Sequence, residues 1–363
     1  MKEEFTVKNE KRKKLKGRIL SYILTSVLIV GLMLNNVLTV SAEETTFVID
    51  NLKYQILTEA EGENPGTVSV MGYENKPNGA VTIPDSVKYP DSSKQYSVTS
   101  IGGSAFSGCS DLTSVTIPDS VTSIGGSAFS GCSNLTSVTI TDSVTSIGDR
   151  AFFRCNSLIS MEFGANSQLT SIGMGTFYYC SGLTSVTIPS SVESIGYVAF
   201  QGCSGLTSVT IPDSVESIGD GAFFYCSDLT SVTIPSSVVK AFCNCFSECA
   251  KLTSVTIMEG AKTIDAFAFS GCSGLTSVTI PSSVESIGGS AFSSCSGLTS
   301  VTIPSSVVND FGNCFSGCKK LTSVTIMEGA KTIGDSAFEG CSDLTSVTIP
   351  SSVESIGDYA FNG

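Results

Sequence analysis

A chain of 363 residues with 15% charged residues, no histidine, no tryptophan, 35 glycines and 14 cysteines does not have the composition of two or three ordinary globular domains. Its formal charge is −13; residues 1–42 hold eight Lys or Arg against three Glu, so the remainder carries 12 basic and 30 acidic residues, a net of −18. An acidic body argues against nucleic acid and anionic membrane surfaces as partners, and the lack of histidine removes the usual base for a serine or threonine nucleophile.

The chain begins with a basic run, KRKKLKGR over residues 11–18, then an apolar stretch over residues 19–34. Val40 and Ala42 supply small residues ahead of Glu43 and Glu44. This three-part layout predicts a secretory signal peptide over residues 1–42, cleaved after Ala42; an uncleaved anchor with its positive end inside is the alternative. After cleavage no membrane insertion is expected.

Residues 43–97 read as a β-rich N-terminal cap. FVIDNLKYQIL (47–57) predicts two short strands around the turn-prone pair Asp50–Asn51, and TVSVMGY (67–73) another strand. Val81, Thr82 and Ile83 form the first repeat-like strand, ended by Pro84. Ile83 and Ile101 lie 18 apart where a regular unit has seven, so about 11 residues are inserted there. A terminal unit is expected to be atypical, because it must cover an open core.

Residues 98–363 are an array. Cys109, Cys132, Cys155, Cys180, Cys203, Cys226, Cys249, Cys272, Cys295, Cys318 and Cys341 recur every 23 residues, except for the 25-residue step from Cys155 to Cys180. The two extra residues fall between Phe163 and Leu169, in a turn where insertion is tolerated. Within one unit, Leu275, Val278 and Ile280 alternate with Ser277 and Thr279, which predicts a short strand with β-branched residues inward. Pro281 ends it, Gly288 and Gly289 are expected to allow a tight turn, and Ala291-Phe292-x-x-Cys295 is expected to be one 3₁₀ or helical turn. No period of 3.6 runs long enough for a full helix. One unit cannot bury its apolar face alone, so the fold class is a solenoid of stacked coils, roughly eleven of them at about 4.8 Å each.

The string SVTIPSSVxSIGxxAFxxCxxL resembles the BspA-like leucine-rich repeats over about residues 81–363. The resemblance implies a leucine-rich repeat solenoid, curved and right-handed, with short parallel strands on one face. It also implies a secreted or cell-surface protein, often from a host-associated microbe, linked to adhesion and to binding extracellular proteins. A longer period is present too: VVKAFCNCF from Val238 recurs 69 residues on as VVNDFGNCF from Val307, which suggests duplication of three units.

The ladder cysteines fall among apolar positions and are expected to be buried free thiols rather than disulfides. Cys245 and Cys314 replace the Ala of their units and Cys243 lies beside; Cys243-x-Cys245 with Cys249 is a soft-metal pattern, but without histidine or a second C-x-x-C pair it reads as core substitution. The redox state of Cys243, Cys245 and Cys314 is left open. No catalytic set, metal or cofactor is expected. The candidate binding face is the hydroxyl stripe headed by Ser114/Thr116, Ser208/Thr210, Ser277/Thr279 and Ser346/Thr348, with breaks at Glu162, Glu259 and Glu328 as the places for specificity. The expected partner is an extracellular protein or glycan, host-derived under the resemblance. Other readings are a solvated strand face on a structural spacer and, remotely, a hydroxyl array that orders water or ice. At Gly363 the last coil is expected to be incomplete, either because the sequence is a fragment or because the coil is left open; an open end would invite self-association.

Overall fold

The structure, a computed structural model, describes residues 45–238, 242–308 and 311–363. The expected signal peptide, residues 1–42, lies outside the described residues. Three cap strands, β1 (Thr46–Ile49), β2 (Leu52–Thr58) and β3 (Gly66–Tyr73), lie side by side in one sheet, with β2 and β3 antiparallel. Asp50 and Asn51 turn the chain between β1 and β2 at φ 46° and 70°, the left-handed pair that matches a tight hairpin to the twist of its strands. The inserted segment forms a second hairpin, β5 (Ser86–Lys88) with β6 (Gln95–Ile101). β6 runs parallel to β3 on one side and to Ser123–Ile124 on the other, which joins the cap to the coils. Between them, β4 (Gly79–Thr82) is the first rung of the array, pairing with Leu112–Thr116.

From that rung a parallel sheet of twelve strands runs through every coil to Ser346–Thr348. Equivalent serines face one another rung after rung: Ser137 with Ser160, Ser160 with Ser185, Ser208 with Ser231 and Ser323 with Ser346. A second, shorter ladder pairs the Ser-Ile dipeptides, as in Ile101 with Ile124 and Ile195 with Ile218. Among the described residues it is interrupted at three places: between Ile147 and Ile172, between Ile218 and Ile264, and between Ile287 and Ile333. The first holds the two-residue insertion. The other two hold Phe242 and Phe311, which stand where neighbouring coils have the Gly of Ile-Gly and are buried.

The segment expected as one 3₁₀ or helical turn is a run of hydrogen-bonded turns, and there is no helix among the described residues. In the coil of Cys132, Ala128, Ser130 and Cys132 donate their N–H to carbonyls three residues back, while Ser127, Phe129 and Gly131 donate to Asp149, Ala151 and Phe153 of the next coil. The alternation follows from left-handed residues four apart, such as Ser127 (φ 56°) and Gly131 (φ 73°), which stop a right-handed turn from propagating. The glycine of Ile-Gly serves differently from the expected tight turn. Gly288 has no left-handed φ; a Cβ there would strike the backbone of Asp265 and Ala266 in the preceding coil. Glycine at this position lets consecutive coils approach closely.

The interior consists of ladders. Twelve phenylalanines from Phe106 to Phe361 stack ring over ring, with centroids 5.1–5.6 Å apart. Tyr73 of the cap stacks on the first of them at 6.4 Å. The eleven ladder cysteines form one buried row, and Cys245 and Cys314 are buried beside it. Each ladder thiol from Cys132 to Cys341 donates to the carbonyl of a Phe one coil back at 3.0–3.4 Å. The same carbonyl accepts the N–H of the Cys in its own coil, as Phe106 does from Cys109. Cysteine suits the position because it is apolar in volume yet satisfies a second lone pair on a buried carbonyl.

Candidate binding face

The outward side of the long sheet is a lattice of hydroxyls. Val alternates with Ser and Thr along each strand, so Thr116, Ser208, Thr210, Ser277, Thr279, Ser346 and Thr348 are exposed and Ser114 is half-buried. Ser208 and Thr210 sit opposite Ser185 and Thr187, and Thr348 opposite Thr325. Thr279 lies just past the end of its two-residue strand, Ser277–Val278. A further column, the Thr after each Leu, was not singled out from sequence. Eight of these threonines, from Thr136 to Thr345, donate their hydroxyl to the carbonyl of the same position one coil back at 3.0–3.2 Å. Their fixed place after Leu in almost every unit was the available signal.

The three glutamates fall into two kinds. Glu162 lies in the strand Ser160–Phe163, opposite Thr139, and projects outward. Its row also presents Ile159, 54% exposed, where other rows carry the bonded Thr. Next to it the inserted turn is held by Asp142, whose carboxylate accepts the Asn166 N–H at 2.9 Å and its side-chain amide at 3.2 Å. The turn opens a cleft of about 540 Å³ lined by Glu162, Phe163, Ala165, Ser167, Thr187 and Pro189 among others. Among the described residues it is the one irregular row on this face that combines an apolar side chain, a carboxylate and a concavity.

Glu259 and Glu328 lie beyond the strand ends and do not break the stripe, which continues through Ser254, Thr256, Ser323 and Thr325. The preceding Met258 and Met327 replace the strand-ending proline, and their N–H groups donate to Ile234 and Ile303 at 3.0 Å, a bond proline cannot make. Each carboxylate clamps the next coil: Glu259 accepts the N–H and hydroxyl of Ser282 and the N–H of Ser283, all at 3.1 Å, and Glu328 does the same for Ser351 and Ser352. Hydrogen bonds led by the Ser282 backbone hold the Glu259 carboxyl below its usual pKa, and those led by the Ser351 hydroxyl do so for Glu328.

The cysteines are built against reactivity. Burial pushes the thiols of Cys203 and Cys272 up to about 12, and that of Cys341 to about 11. Cys243 is half-buried and the other thirteen are buried; burial, then Asp220 and Asp265, raises its pKa too. Among the described residues no three His, Cys, Asp or Glu side chains converge as metal donors, and no helix is long and apolar enough to cross a membrane.

Against known proteins, the sequence model of the family described as "BspA type Leucine rich repeat region" matches six copies over residues 85–203, 170–270 and 242–363. A leucine-rich repeat protein from Bacteroides ovatus is 31% identical, covers 87% of this chain and 79% of its own, and superposes with a TM-score of 0.63. A leucine rich cell surface protein from Faecalibacterium prausnitzii is also 31% identical, with 87% and 92% covered and a TM-score of 0.55. No curated protein matches.

Proposed function

Because the chain belongs to the BspA-type leucine-rich repeat family, we propose that it is a secreted or cell-surface, non-enzymatic binding module that docks an extracellular protein or glycan on its sheet face. One observation carries this reading. The row of Ile159, Ser160 and Glu162, with the cleft beside it, interrupts a hydroxyl lattice that is otherwise uniform from Ser114 to Thr348. A lattice of small neutral side chains offers adaptable hydrogen bonds without strong charge, and one apolar and acidic row adds the local distinctness that recognition needs. The basic, apolar and small-residue succession in residues 1–42 supports export, and the similar Faecalibacterium prausnitzii protein is described as a cell surface protein. The absence of histidine and the raised thiol pKa values favour a role without covalent chemistry.

The test is a binding panel of immobilised extracellular matrix proteins and glycans, read against the full chain and against a double variant, Ile159→Thr with Glu162→Thr, that restores the regular row. Loss of binding by tenfold or more in the variant is the expected result. The uniformity of the remaining rows favours the competing reading, a spacer that holds other modules away from the cell; equal binding by both proteins would move the site off this row, and binding by neither would select the spacer.

A further inference from the structure

Opposite the sheet, most coils turn the two residues between their ladder Phe and Cys toward the surface. In most coils these are small or polar: Ser107-Gly108, Ser130-Gly131, Gln201-Gly202, Ser270-Gly271, Ser316-Gly317. In three coils near the middle they are Phe153-Arg154, Tyr178-Tyr179 and Phe224-Tyr225, and Tyr197 joins them from the coil between. Tyr179, Tyr197 and Tyr225 are 40%, 56% and 52% exposed. The strip crosses four coils, about 15 Å at a strand spacing of about 4.8 Å.

The charge on this strip is set apart from the rest of the molecule. The chain has four arginines, Arg12, Arg18, Arg150 and Arg154, so both arginines beyond the leader segment stand here, on a body of net charge −18. Among the described residues every ion pair uses a lysine, and neither arginine is in one. The nearest carboxylate in sequence, Asp149, accepts the Met174 N–H at 2.8 Å. The Arg154 guanidinium lies over two rings, 5.2 Å from the Phe153 centroid and 5.9 Å from that of Tyr179. Phe153 in turn stacks on Tyr178 at 5.4 Å, and the Tyr178 and Tyr179 rings lie 4.5 Å apart. Stacked faces fix a guanidinium plane and leave its N–H edge free for a planar anion.

The backbone adds a conformational cost to several of these residues. Arg150, Arg154, Tyr179, Val198 and Tyr225 adopt φ of 49–61°, at positions where most other coils place Gly, Ser or Asn and where Glu248, Phe267 and Tyr359 are the other large exceptions. Large side chains held in the left-handed region are a strain that clusters at functional sites.

We propose that this strip binds an acidic glycan, a sugar polymer bearing carboxylates, independently of the sheet face. Each feature has a counterpart in such a ligand: the guanidinium edge for the carboxylate, ring faces for the apolar face of a pyranose, and the phenols for sugar hydroxyls. An extended acidic peptide fits less well, because the strip has no backbone edge to offer. Arg154, Tyr179 and Gly202 already donate their N–H groups to Tyr178, Gln201 and Phe224 of the next coils.

The experiment is calorimetric titration of the full chain with polygalacturonate, with neutral dextran and polyglutamate as comparison ligands. The variants Arg154→Gly and Tyr179→Gly install the residue that other coils carry at the same position, so both should fold with an unchanged or raised thermal midpoint. Polygalacturonate should bind the parent chain, at least tenfold more tightly than dextran or polyglutamate, and each variant should lose tenfold or more. The sheet-face double variant at Ile159 and Glu162 should bind it within twofold of the parent. The assignment is overturned if the parent chain does not bind, if the glycine variants bind as the parent does, if the sheet-face variant loses the interaction, or if polyglutamate binds as tightly, which would make the partner an acidic polypeptide.

Discussion

The two exposed sides of a coil obey different rules, although both are stitched to their neighbours by a hydrogen bond on nearly every second residue. On the sheet side the outward residues hardly vary, because the threonine after each Leu is itself part of the stitching through its hydroxyl. On the turn side the backbone makes most of the bonds between coils: Phe129 donates to Ala151 and Gly131 to Phe153 whatever side chains stand there. The exposed pair is thereby released, and runs from Ser-Gly to Tyr-Tyr and back. A repeat protein can gather specificity where its side chains carry no structural duty.

The sharpest test contrasts the interior with that released side within one coil. Phe223→Ala removes a fully buried ring stacked on both Phe200 and Phe246 at 5.1 and 5.2 Å and should destabilise by about 3–5 kcal/mol. Tyr225→Ser, two residues on, should change stability by less than about 0.5 kcal/mol. Hydrogen exchange should show the Phe223→Ala loss first in coils adjoining the cavity, since each coil contacts only its neighbours. Equal losses for the two variants, or one sharp global transition, would erase the contrast.

A glycine substitution probes the same boundary more gently. Gly219→Ala would set a Cβ 2.5 Å from the Tyr197 nitrogen, so two coils must separate, at a cost of about 1–3 kcal/mol. The Cβ of Gly108→Ala meets nothing within 4 Å, leaving only the strain of φ 72°, of about 1 kcal/mol. Denaturant midpoints for the pair should rank in that order.

These contrasts also mark what could be read from the residues alone. The coil, its inward Leu, Val, Ile, Phe and Cys and the two-residue insertion were legible because fixed offsets repeat and a strand alternates its faces. The cap hairpin at Asp50–Asn51 was legible from turn chemistry. The reason for Gly288 was not, since a close approach between Gly288 and Ala266 depends on how coils nest. Glu259 and Glu328 looked like breaks in the stripe because linear spacing does not reveal that Met258 can extend the ladder by one bond where proline cannot. The arginine and tyrosine strip was visible as a change of composition, but Phe153 meets Tyr178 only because the insertion leaves the turn side in register.

The thiols supply a chemical form of the inside-against-outside comparison. Cys243 alone is half-buried, and the rest are buried. Treating the unreduced native protein with an aromatic disulfide reagent near neutral pH should therefore titrate at most one thiol quickly, and denaturation should release the others. Fewer than about ten thiols after unfolding without reductant would mean that the inner row is cross-linked, against the geometry that adjacent stacked cysteines offer.

The smallest effect belongs to the two glutamate clamps on the rim between the faces. Their folded-state pKa values are depressed by hydrogen bonds from Ser282, Ser283, Ser351 and Ser352. A depressed carboxyl pKa contributes stability that is present above the unfolded value, about 4.3 for Glu, and is lost as pH falls through the folded one. Both side chains are solvent-exposed, so the loss should be local, with the phenylalanine stack intact. Amide exchange at Ser282, Ser283, Ser351 and Ser352, corrected for intrinsic chemistry, should quicken as pH drops below about 4.3, while the amide of Phe223 stays protected. Glu259→Gln should abolish the pH dependence at Ser282 and Ser283 and leave it at Ser351 and Ser352. Because the two clamps are copies 69 residues apart, each serves as the other's control: a variant that altered both would show that acid acts on the whole stack and not on the rim.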